Sequence, residues 1–341
     1  MKQRIEHIDS IRAAAVLLMV MVHAAATWGP PSSTQPSALV YLVSGMGGLA
    51  APLFVTVFGW GCFHGRSTTK QRLYRTAFFV IAQTGINASS PHLFDLWTPG
   101  VLTLFGLLTI TQPLWLHPLR RRNHQTLMAF SAAVVFLIAF LPSIQGSSDW
   151  DTRVQVTDAV QWTSHALVTG TYPMFPWVLF AVFGAWIAKN GGEKALFPQT
   201  VTTKAALVGA FLCTLATLIY SAIYDLEWAS PTGDATLTFF PANIPFLTAA
   251  VLGVTLLWML IERFSVSSLT LLGRRSLTVY LVHFIPIGLF HSVDEAQSFT
   301  FAQSMIVVLA YTCVWWPAAH AWDRLAPRMN VEQLFRAMSK D

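Results

Sequence analysis

The chain has 341 residues, of which 54% are hydrophobic and only 11% are charged, and its formal net charge is +5. Soluble globular proteins carry about 25% charged residues, so this chain has too few charges to cover the surface of a water-soluble protein of its length. The composition excludes a cytosolic enzyme, a disordered chain and a disulfide scaffold, and it indicates a polytopic membrane protein.

The basic residues fall in short clusters between apolar runs, which indicates membrane orientation rather than nucleic-acid binding. The three cysteines, Cys62, Cys213 and Cys313, lie far apart within apolar runs. An odd number of cysteines without metal-ligand spacing argues against a disulfide framework and against a zinc site, so no metal is expected. We interpret the cysteines as small apolar residues.

Ten apolar stretches follow one another along the chain, and each approaches the length of about 20 residues that a membrane-spanning helix needs. They are residues 11–28, 38–63, 73–90, 99–117, 126–142, 173–188, 202–224, 239–261, 275–290 and 299–322. Turn-forming residues such as Gly29-Pro30-Pro31 separate them. We see no internal repeat and no second domain. The sequence therefore predicts an all-α, polytopic bundle of about ten transmembrane helices, with residues 1–341 forming a single domain.

The charges between these stretches predict the orientation of the bundle. With a cytoplasmic N-terminus, all of the 21 basic residues except Arg153 fall in cytoplasmic segments or at cytoplasmic helix ends. The outer loops carry acidic residues instead, namely Asp95, Asp149, Asp151, Asp158, Asp225, Glu227, Asp234, Asp294 and Glu295. Because the distribution of Lys and Arg sets membrane orientation, both termini are predicted to be cytoplasmic. The membrane is the plasma (inner) membrane if the source is a bacterium.

A cleaved signal peptide is the alternative interpretation of the first apolar stretch. Lys2 and Arg4 precede the stretch, and Ala24-Ala25-Ala26 has the small residues of a cleavage site. The stretch nevertheless reaches Trp28 and contains polar residues that a signal peptide does not need. These features favour a retained first helix.

Ionisable residues inside a bilayer are functional candidates, because burying them in lipid is costly. Arg12 and His23 share one helix face, since eleven residues make three turns plus about 20°, and they differ in height by about 16 Å. Asp9 lies on the same face, three residues before Arg12. The alternative interpretation makes Arg12 a positive-inside anchor and His23 a buried, hydrogen-bonded histidine.

The third stretch repeats this arrangement. Arg72 and Arg75 are neighbours on one face at its cytoplasmic end, Gln83 follows Arg72 after eleven residues, and Asn87 lies one turn further. Arginine pairs with phosphate through two parallel hydrogen bonds, so this pair fits a phosphorylated cofactor approaching from the cytoplasm. A pair that only sets membrane orientation explains the spacing equally well.

The ninth stretch carries Ser276, Tyr280 and His283 on one face. It begins at Arg274-Arg275, so His283 lies about 13 Å deep, close to the depth of His23 below Arg12. Two histidines near the membrane midplane on different helices predict a reaction or translocation site.

Tryptophans are abundant near both ends of the stretches, and interfacial anchoring explains most of them. An alternative function for Trp150 or Trp162, which lie near Asp149, Asp151 and Asp158, is stacking against a sugar.

Several of these residues resemble the transmembrane acyltransferase superfamily, which includes acyltransferase family 3. Arg12 and His23 within IDSIRAAAVLLMVMVH look like its first-helix signature, and RLYR, with Arg72 and Arg75, is similar to its second basic motif. Other stretches resemble the branch related to heparan-α-glucosaminide N-acetyltransferase, namely AAPLFVTVFGWG (50–61), YPMFPWVLFAVFGAWIA (172–188), FFPANIPFLTAAVLG (239–253) and LGRRSLTVYLVHFIPI (272–287). The resemblance runs in register over residues 5–290.

The resemblance implies a ten-helix bundle that takes an acyl group from cytoplasmic acyl-CoA, with acetyl-CoA the expected donor. The acceptor is a hydroxyl or amine, commonly of a sugar, at or across the membrane. His23 matches the family's essential histidine, which acts as a general base or transient acyl carrier. Arg12, Arg72 and Arg75 match residues that hold the CoA phosphates, and Arg275 is a further candidate for the same role.

Two departures from the family pattern affect the expected chemistry. Ala13 stands where the family has a small glycine after the first-helix arginine, which is a mild change. The N-acetylglucosaminide branch uses a histidine in the first outer loop, and residues 29–37 contain none. The expected chemistry therefore follows family 3 and centres on His23, so the acceptor need not be an amino sugar.

The sequence thus predicts an O- or N-acyltransferase. His23 removes the acceptor's proton or carries the acyl group, and the unperturbed imidazole pKa of about 6.5 suits this role. Asn87, Tyr280 and His283 are candidates to orient His23 or to stabilise the developing oxyanion. Expected partners are membrane lipid, acyl-CoA and a carbohydrate or glycolipid acceptor, without nucleic acid.

A small-molecule or proton-coupled transporter is the alternative function. Midplane histidines and polar stripes within apolar helices fit that class too. The lack of an inverted repeat and of an intramembrane carboxylate for ion coupling disfavours it.

Overall fold

The computed structural model describes residues 4–29, 38–233, 235–293 and 299–337. Almost all regular structure in them is helical, and two short strands, β1 (Ala229–Ser230) and β2 (Leu237–Thr238), pair in parallel. The helices are α1 (Glu6–Trp28), α2 (Ala38–Gly47), α3 (Ala50–His64), α4 (Thr69–Ser89), α5 (Val101–Ile110), α6 (Gln112–Arg121), α7 (Asn123–Phe140), α8 (Trp150–Val154), α9 (Ala159–Ser164), α10 (Met174–Asn190), α11 (Val201–Ile223), α12 (Ile244–Arg263), α13 (Thr270–Arg274), α14 (Ser276–Val282), α15 (Phe284–Phe290), α16 (Phe301–Leu325) and α17 (Val331–Ala337).

Several of these helices are long and apolar enough to cross a membrane, which confirms a helical, multi-pass membrane protein. Within the described residues there are 6: Glu6–Trp28, Val43–His64, Asn123–Phe140, Val201–Ile223, Ile244–Arg263 and Phe301–Leu325. A seventh span is formed if Ala159–Thr169 and Met174–Asn190, which meet at 45°, count as one. All ten predicted stretches overlap helices, but the number of ten spans and the orientation of the termini stay predictions.

Some predicted stretches are interrupted or more polar than a free-standing span. Thr111 separates α5 from α6, and Pro113 begins the new helix without an amide hydrogen to donate. Val101–Ile110 and Ser276–Phe290 are shorter apolar helices. The helix α4 is long enough to span, with 21 residues, but many of its side chains are polar. Of these helices, Val101–Ile110 is mostly buried, whereas α4 buries one face and exposes Leu73, Tyr74 and Ile81.

The helices α3 and α10 pack closely against each other. A Cβ atom on Gly59 would lie 2.0 Å from the carbonyl oxygen of Ala181, and one on Gly184 would lie 1.8 Å from that of Thr56. Small residues allow such close approach, and dispersion contacts rather than hydrophobic burial drive helix association in lipid. The pair therefore forms a tightly packed element at the centre of the larger apolar core.

The helix α1 is also central, whereas α11 is peripheral. Ile11, Val16 and Val20 on α1 are completely buried, and the helix packs against α3, α13 and α16. On α11 the large apolar side chains are exposed: Val208, Phe211, Leu212, Leu215, Ile219 and Ile223. Exposed apolar rows on a membrane helix face lipid.

The bundle has two chemically different ends. We call the end formed by residues 4–12, 64–72, 119–123, 189–200, 263–275 and 326–337 the basic end, and the opposite end, formed by residues 90–100, 142–172 and 225–243, the acidic end. At the basic end, the Arg120 guanidinium donates to the carbonyl of Phe63 at 2.8 Å and Lys189 donates to that of Leu119 at 2.9 Å. Among the charges on which the predicted orientation rests, Lys2, Asp234, Asp294, Glu295 and Lys340 lie outside the described residues.

Arg153, the basic residue that the sequence analysis assigns to the outer side, organises the acidic end. Its side chain is 1% exposed and donates to the carbonyl oxygens of Gln145, Thr169 and Gly170 at 2.7–2.9 Å. Burial lowers the pKa of Arg153 to about 10, so the group still carries its charge at neutral pH. The guanidinium therefore holds the beginning, middle and end of the long connection between α7 and α10 together.

Candidate active site

Two histidines from different helices meet inside the bundle. Nδ1 of His23 on α1 lies 2.9 Å from Nε2 of His283, and the rings are nearly parallel, at 14°, with centroids 5.1 Å apart. His283 is completely buried, whereas His23 is half-buried. The structure thus brings together the two histidines that the sequence places at similar depth.

The surrounding hydrogen bonds determine which nitrogen of each neutral ring carries the proton. Nδ1 of His283 lies 3.1 Å from the carbonyl oxygen of Val279. Because a carbonyl oxygen can only accept a hydrogen bond, Nδ1 of His283 carries the proton and Nε2 carries the lone pair. The lone pair accepts a hydrogen bond, so His23 must donate from Nδ1. Nε2 of His23 then carries a lone pair, and among the described residues nothing hydrogen-bonds to it. This is the arrangement of an oriented general base.

Aromatic rings enclose the histidine pair. Phe284 lies 4.6 Å from the ring of His23 and 4.2 Å from that of His283. The Tyr280 ring lies 5.9 Å from His283, edge to face, one turn before it on α14. Of the predicted site residues, Tyr280 therefore lies beside the histidine pair as expected.

Tyr311 on α16 holds the backbone at the histidine pair, and the sequence analysis missed it. Its hydroxyl donates to the carbonyl oxygen of His283 at 2.5 Å. His283 stands at the junction of α14 and α15, where Pro286 has no amide hydrogen to offer the carbonyl of Val282. The contact with Tyr311 therefore holds α16 against this break. A tyrosine in an apolar stretch carries no sequence signal that distinguishes this function from core packing.

Two adjoining cavities open toward the basic end. The deep cavity has a volume of about 280 Å³ and is lined by Tyr280 and by the aromatic residues Phe54, Phe58, Phe79, Phe105 and Phe335. The basic cavity has a volume of about 1350 Å³. Arg12, Ser276, Leu277 and Phe335 line both cavities. Because Tyr280 contacts His283, the deep cavity extends from the basic cavity toward the histidine pair.

The lining of the basic cavity has more cations than anions. The cations are Arg4, Arg12, Lys194, Arg274 and Arg336, and the anions are Asp9, Glu193 and Glu332. Asp9 accepts from Arg4 at 2.5 Å and from Arg12 at 3.2 Å. The buried indole nitrogen of Trp60, also in the lining, has no acceptor among the described residues. This set of donors can hold a large anionic ligand.

The four predicted phosphate-binding arginines separate into two groups. Arg12 lines both cavities and Arg75 lines the deep cavity. Arg72, one turn from Arg75, donates to Thr69 at 3.0 Å and borders neither cavity. Arg275 forms an ion pair with Asp323 and borders neither cavity, whereas its neighbour Arg274 lines the basic cavity. Of the four predicted arginines, Arg12 and Arg75 therefore border a cavity, Arg72 and Arg275 do not, and Arg274, which was not predicted, does.

Asn87 does not contact the histidine pair, contrary to the predicted function. Its amide donates to the carbonyl oxygens of Leu96 at 3.1 Å and Thr98 at 2.8 Å, and its oxygen accepts from Gln83 at 2.9 Å. Gln83 in turn accepts from the amide of Leu102 at 3.1 Å. Both amide hydrogens of Asn87 are used in this way, so the residue fastens a loop at the acidic end instead of orienting His23.

A third cavity, of about 460 Å³, lies toward the acidic end and includes Trp97, Asp158 and Trp162 in its lining. Backbone hydrogen bonds from Val160 and Gln161 lower the pKa of Asp158, so the carboxylate is charged at neutral pH. Trp150 is not in this lining and packs between Phe94 and Phe240. Of the two tryptophans considered for sugar stacking, Trp162 is therefore the one beside a cavity.

Comparison with known proteins identifies the family of the chain. A family model described as an acyltransferase domain, that of acyltransferase family 3, matches residues 5–320. The match includes Arg12, His23, Arg75 and His283 and ends before α17. No curated protein matches the chain.

Proposed function

The chain belongs to acyltransferase family 3, and we propose that it transfers an acetyl group from cytoplasmic acetyl-CoA to a hydroxyl or amine of a carbohydrate or glycolipid acceptor. The observation that carries the proposal is the His23–His283 pair, which leaves Nε2 of His23 without a hydrogen-bond partner among the described residues. Tyr280, which lies beside His283, lines the deep cavity and so connects the pair to the basic end. The protein is a multi-pass membrane acyltransferase; the donor, the acyl group and the acceptor are the proposed part.

The proposed topology has ten spans with the basic end in the cytoplasm. The excess of Lys and Arg at that end supports this orientation. All ten predicted stretches overlap helices in the described residues. The acidic end then faces the outer side, which is the periplasm if the membrane is a bacterial inner membrane.

The donor would bind at the basic end. Arg12, Arg274, Lys194 and Arg336 provide positive charge for its phosphates in the basic cavity, and Arg75 provides charge at the deep cavity. The apolar lining of the deep cavity suits the thioester arm, whose approach to Tyr280 brings the reacting carbonyl toward the histidine pair. The orphaned indole N–H of Trp60 offers a further hydrogen bond.

In the proposed reaction a single nitrogen, Nε2 of His23, both accepts the proton and returns it. Nε2 of His23 removes the proton from the acceptor hydroxyl or amine as that atom attacks the thioester carbonyl, and the carbon–sulfur bond breaks. The protonated Nε2 then returns the proton to the departing thiolate, so the products are an ester or amide and a free thiol. His283 holds the His23 ring through Nδ1. Tyr280 is the candidate donor to the developing oxyanion.

The experiment supplies purified protein in lipid nanodiscs with acetyl-CoA labelled in the acetyl group. We expect thioester cleavage or label transfer by the wild type. His23→Ala should lower the rate by about 10² to 10⁴ fold, the usual contribution of a general base, without loss of CoA binding. His117→Ala, an exposed histidine on α6, is the matched control and should behave as wild type. If the wild type neither binds CoA nor cleaves acetyl-CoA or longer acyl-CoA, the donor assignment fails and substrate transport becomes the function to test.

A further inference from the structure

The C-terminal helix α17 lies outside the part of the chain that the family model matches, which ends at residue 320. It nevertheless contributes to both cavities at the basic end. Phe335 lines the deep cavity and the basic cavity, and Glu332 and Arg336 line the basic cavity. A side chain that borders two adjoining cavities stands at their junction. The helix α17 therefore lies on the route between the basic cavity and the deep cavity, although it is not part of the region that the family model matches.

Phe335 is held at this junction by aromatic and cationic contacts with α4. Its ring centroid lies 5.2 Å from that of Phe78 and 5.2 Å from that of Phe79. The guanidinium carbon of Arg75 lies 5.6 Å from the centroid of the same ring. Phe335 thus lies close to the basic residue that would meet a phosphate at the deep cavity.

Glu332 fastens α17 to the other side of the route. Its carboxylate accepts from the backbone amides of Leu277 at 2.9 Å and Thr278 at 3.0 Å, and from the Thr278 hydroxyl at 2.6 Å. Three donors to one carboxylate make a strong contact. Together with Phe335, it makes α17 a bridge between α14 and α4.

We propose that α17 is a gate for the deep cavity, with Phe335 as the gating side chain and Glu332 as the latch. This inference rests on the proposed function, because the ligand that the gate admits is the proposed phosphorylated donor. The Glu332 carboxylate is itself an anion in the lining of the basic cavity, so an anionic ligand that binds beside it repels it from Leu277 and Thr278. Ligand binding in the basic cavity therefore weakens the latch and opens the way for the thioester arm. Without ligand, Phe335 narrows the route from the basic cavity into the deep cavity.

Cys62 provides a test of the gate that does not depend on catalysis, because it lines the deep cavity. The other two cysteines, Cys213 and Cys313, are exposed and can be removed as C213S and C313S. In that background we measure the rate at which a charged, water-soluble maleimide labels Cys62 in nanodisc-embedded protein. F335A and E332A should each raise the rate by about tenfold or more, since charge-assisted hydrogen bonds of this kind shift an equilibrium by at least that factor.

The matched control is L334A, which changes an exposed residue of the same helix. It should label as the parent does, and the melting temperature of each variant reports whether the bundle is intact. Equal labelling rates in F335A, E332A and L334A, with the bundle intact, would overturn the gate. Adding CoA to F335A tests the donor separately, because the gate is already open in this variant and a bound donor arm can only slow the labelling of Cys62. If the gate variants respond but CoA changes nothing, the gate stands and the proposed donor fails.

Discussion

The helices α1 and α4 each carry an arginine followed eleven positions later by a polar side chain on the same face, yet the two faces have different functions. On α1, Arg12 lines both cavities at the basic end and His23 pairs with His283. On α4, Arg72 borders neither cavity and Gln83 binds the backbone of α5. Identical spacing therefore specifies which residues share a face, whereas the neighbouring helix determines what that face does.

The difference follows from what each helix packs against. The polar face of α4 meets the N-terminus of α5, and a Cβ atom on Gly100 would lie 2.5 Å from the Gln83 amide nitrogen. A helix N-terminus leaves amide groups without partners, and Gln83 satisfies that of Leu102. The polar face of α1 meets a second histidine and cavity space instead. A polar residue in a membrane helix can thus complete a neighbour's backbone or serve a reaction.

Among the substitutions that test this comparison, the largest effect is expected for His283, whose contact with His23 distinguishes the α1 face from the α4 face. In His283→Ala the His23 ring loses the acceptor for its Nδ1 proton, and a misaligned base costs about 10² fold in rate. Single-turnover transfer of labelled acetyl should show this loss, and the dissociation constant for CoA should stay unchanged. His283→Gln offers a carbonyl oxygen to the same proton and should recover part of the rate. A matching loss of CoA binding would instead make His283 part of the donor site.

The second effect compares two arginines on α4. Arg75→Ala should weaken CoA binding by about tenfold or more, because a charged hydrogen-bonding partner of the donor is removed. Arg72→Ala should bind CoA as the wild type does, since Arg72 lies beside Thr69 and away from both cavities. Isothermal titration of CoA measures both. Equal weakening by the two substitutions would contradict the division between them.

The third effect concerns stability rather than rate. Asn87→Ala leaves the carbonyl groups of Leu96 and Thr98 without their donor, which costs about 1–3 kcal/mol of unfolding free energy. The melting temperature should fall, while the transfer rate measured well below it should match that of the wild type. Thr84→Ala is the control, because its hydroxyl bonds only to the carbonyl of Val80 in its own helix. If Asn87→Ala lowered the transfer rate without lowering the melting temperature, Asn87 would take part in the reaction after all.

The smallest effect is expected for Tyr311→Phe. The substitution keeps the ring that packs edge to face against Trp28 and removes only the hydrogen bond to the carbonyl of His283. One neutral hydrogen bond corresponds to about two- to tenfold, which should appear in the rate of transfer and not in CoA binding. An unchanged rate would show that the apolar packing of α16 alone holds the junction of α14 and α15.

Much of the fold could be predicted because apolar stretches of about 20 residues must satisfy their backbone internally in lipid and are therefore helical. The breaks within these helical stretches could not be predicted from the sequence. Pro113 begins α6 after a break and Pro286 lies just beyond another, yet Pro317 lies inside α16 without ending it. Whether a proline interrupts a helix depends on the neighbours that replace its lost hydrogen bond.

The sequence predicts how deep the site residues lie in the membrane, but it does not predict which of them contact each other. Helix geometry gives His23 and His283 similar depth, but their 2.9 Å contact requires α1 and α13 to approach closely. Gly273 permits this approach, since a Cβ atom there would lie 1.8 Å from the carbonyl oxygen of Asp9. Arg274 and Arg275 are adjacent in sequence, and only the packing of Asp323 against Arg275 shows which of them is left for a ligand. Phe335 has no sequence signal, because it resembles any aromatic core residue.

The length of α1 between Arg12 and His23 fixes the distance between these two side chains. A continuous helix holds the two side chains about 16 Å apart along its axis and does not stretch. A donor anchored by its phosphates near Arg12 can react at His23 only if its thioester lies at the end of an arm of about that length. Under the proposed function, short acyl thioesters and acyl phosphates would lack either the anchor or the reach, even when they are chemically more reactive. The length of the helix would then select the donor before any chemistry begins.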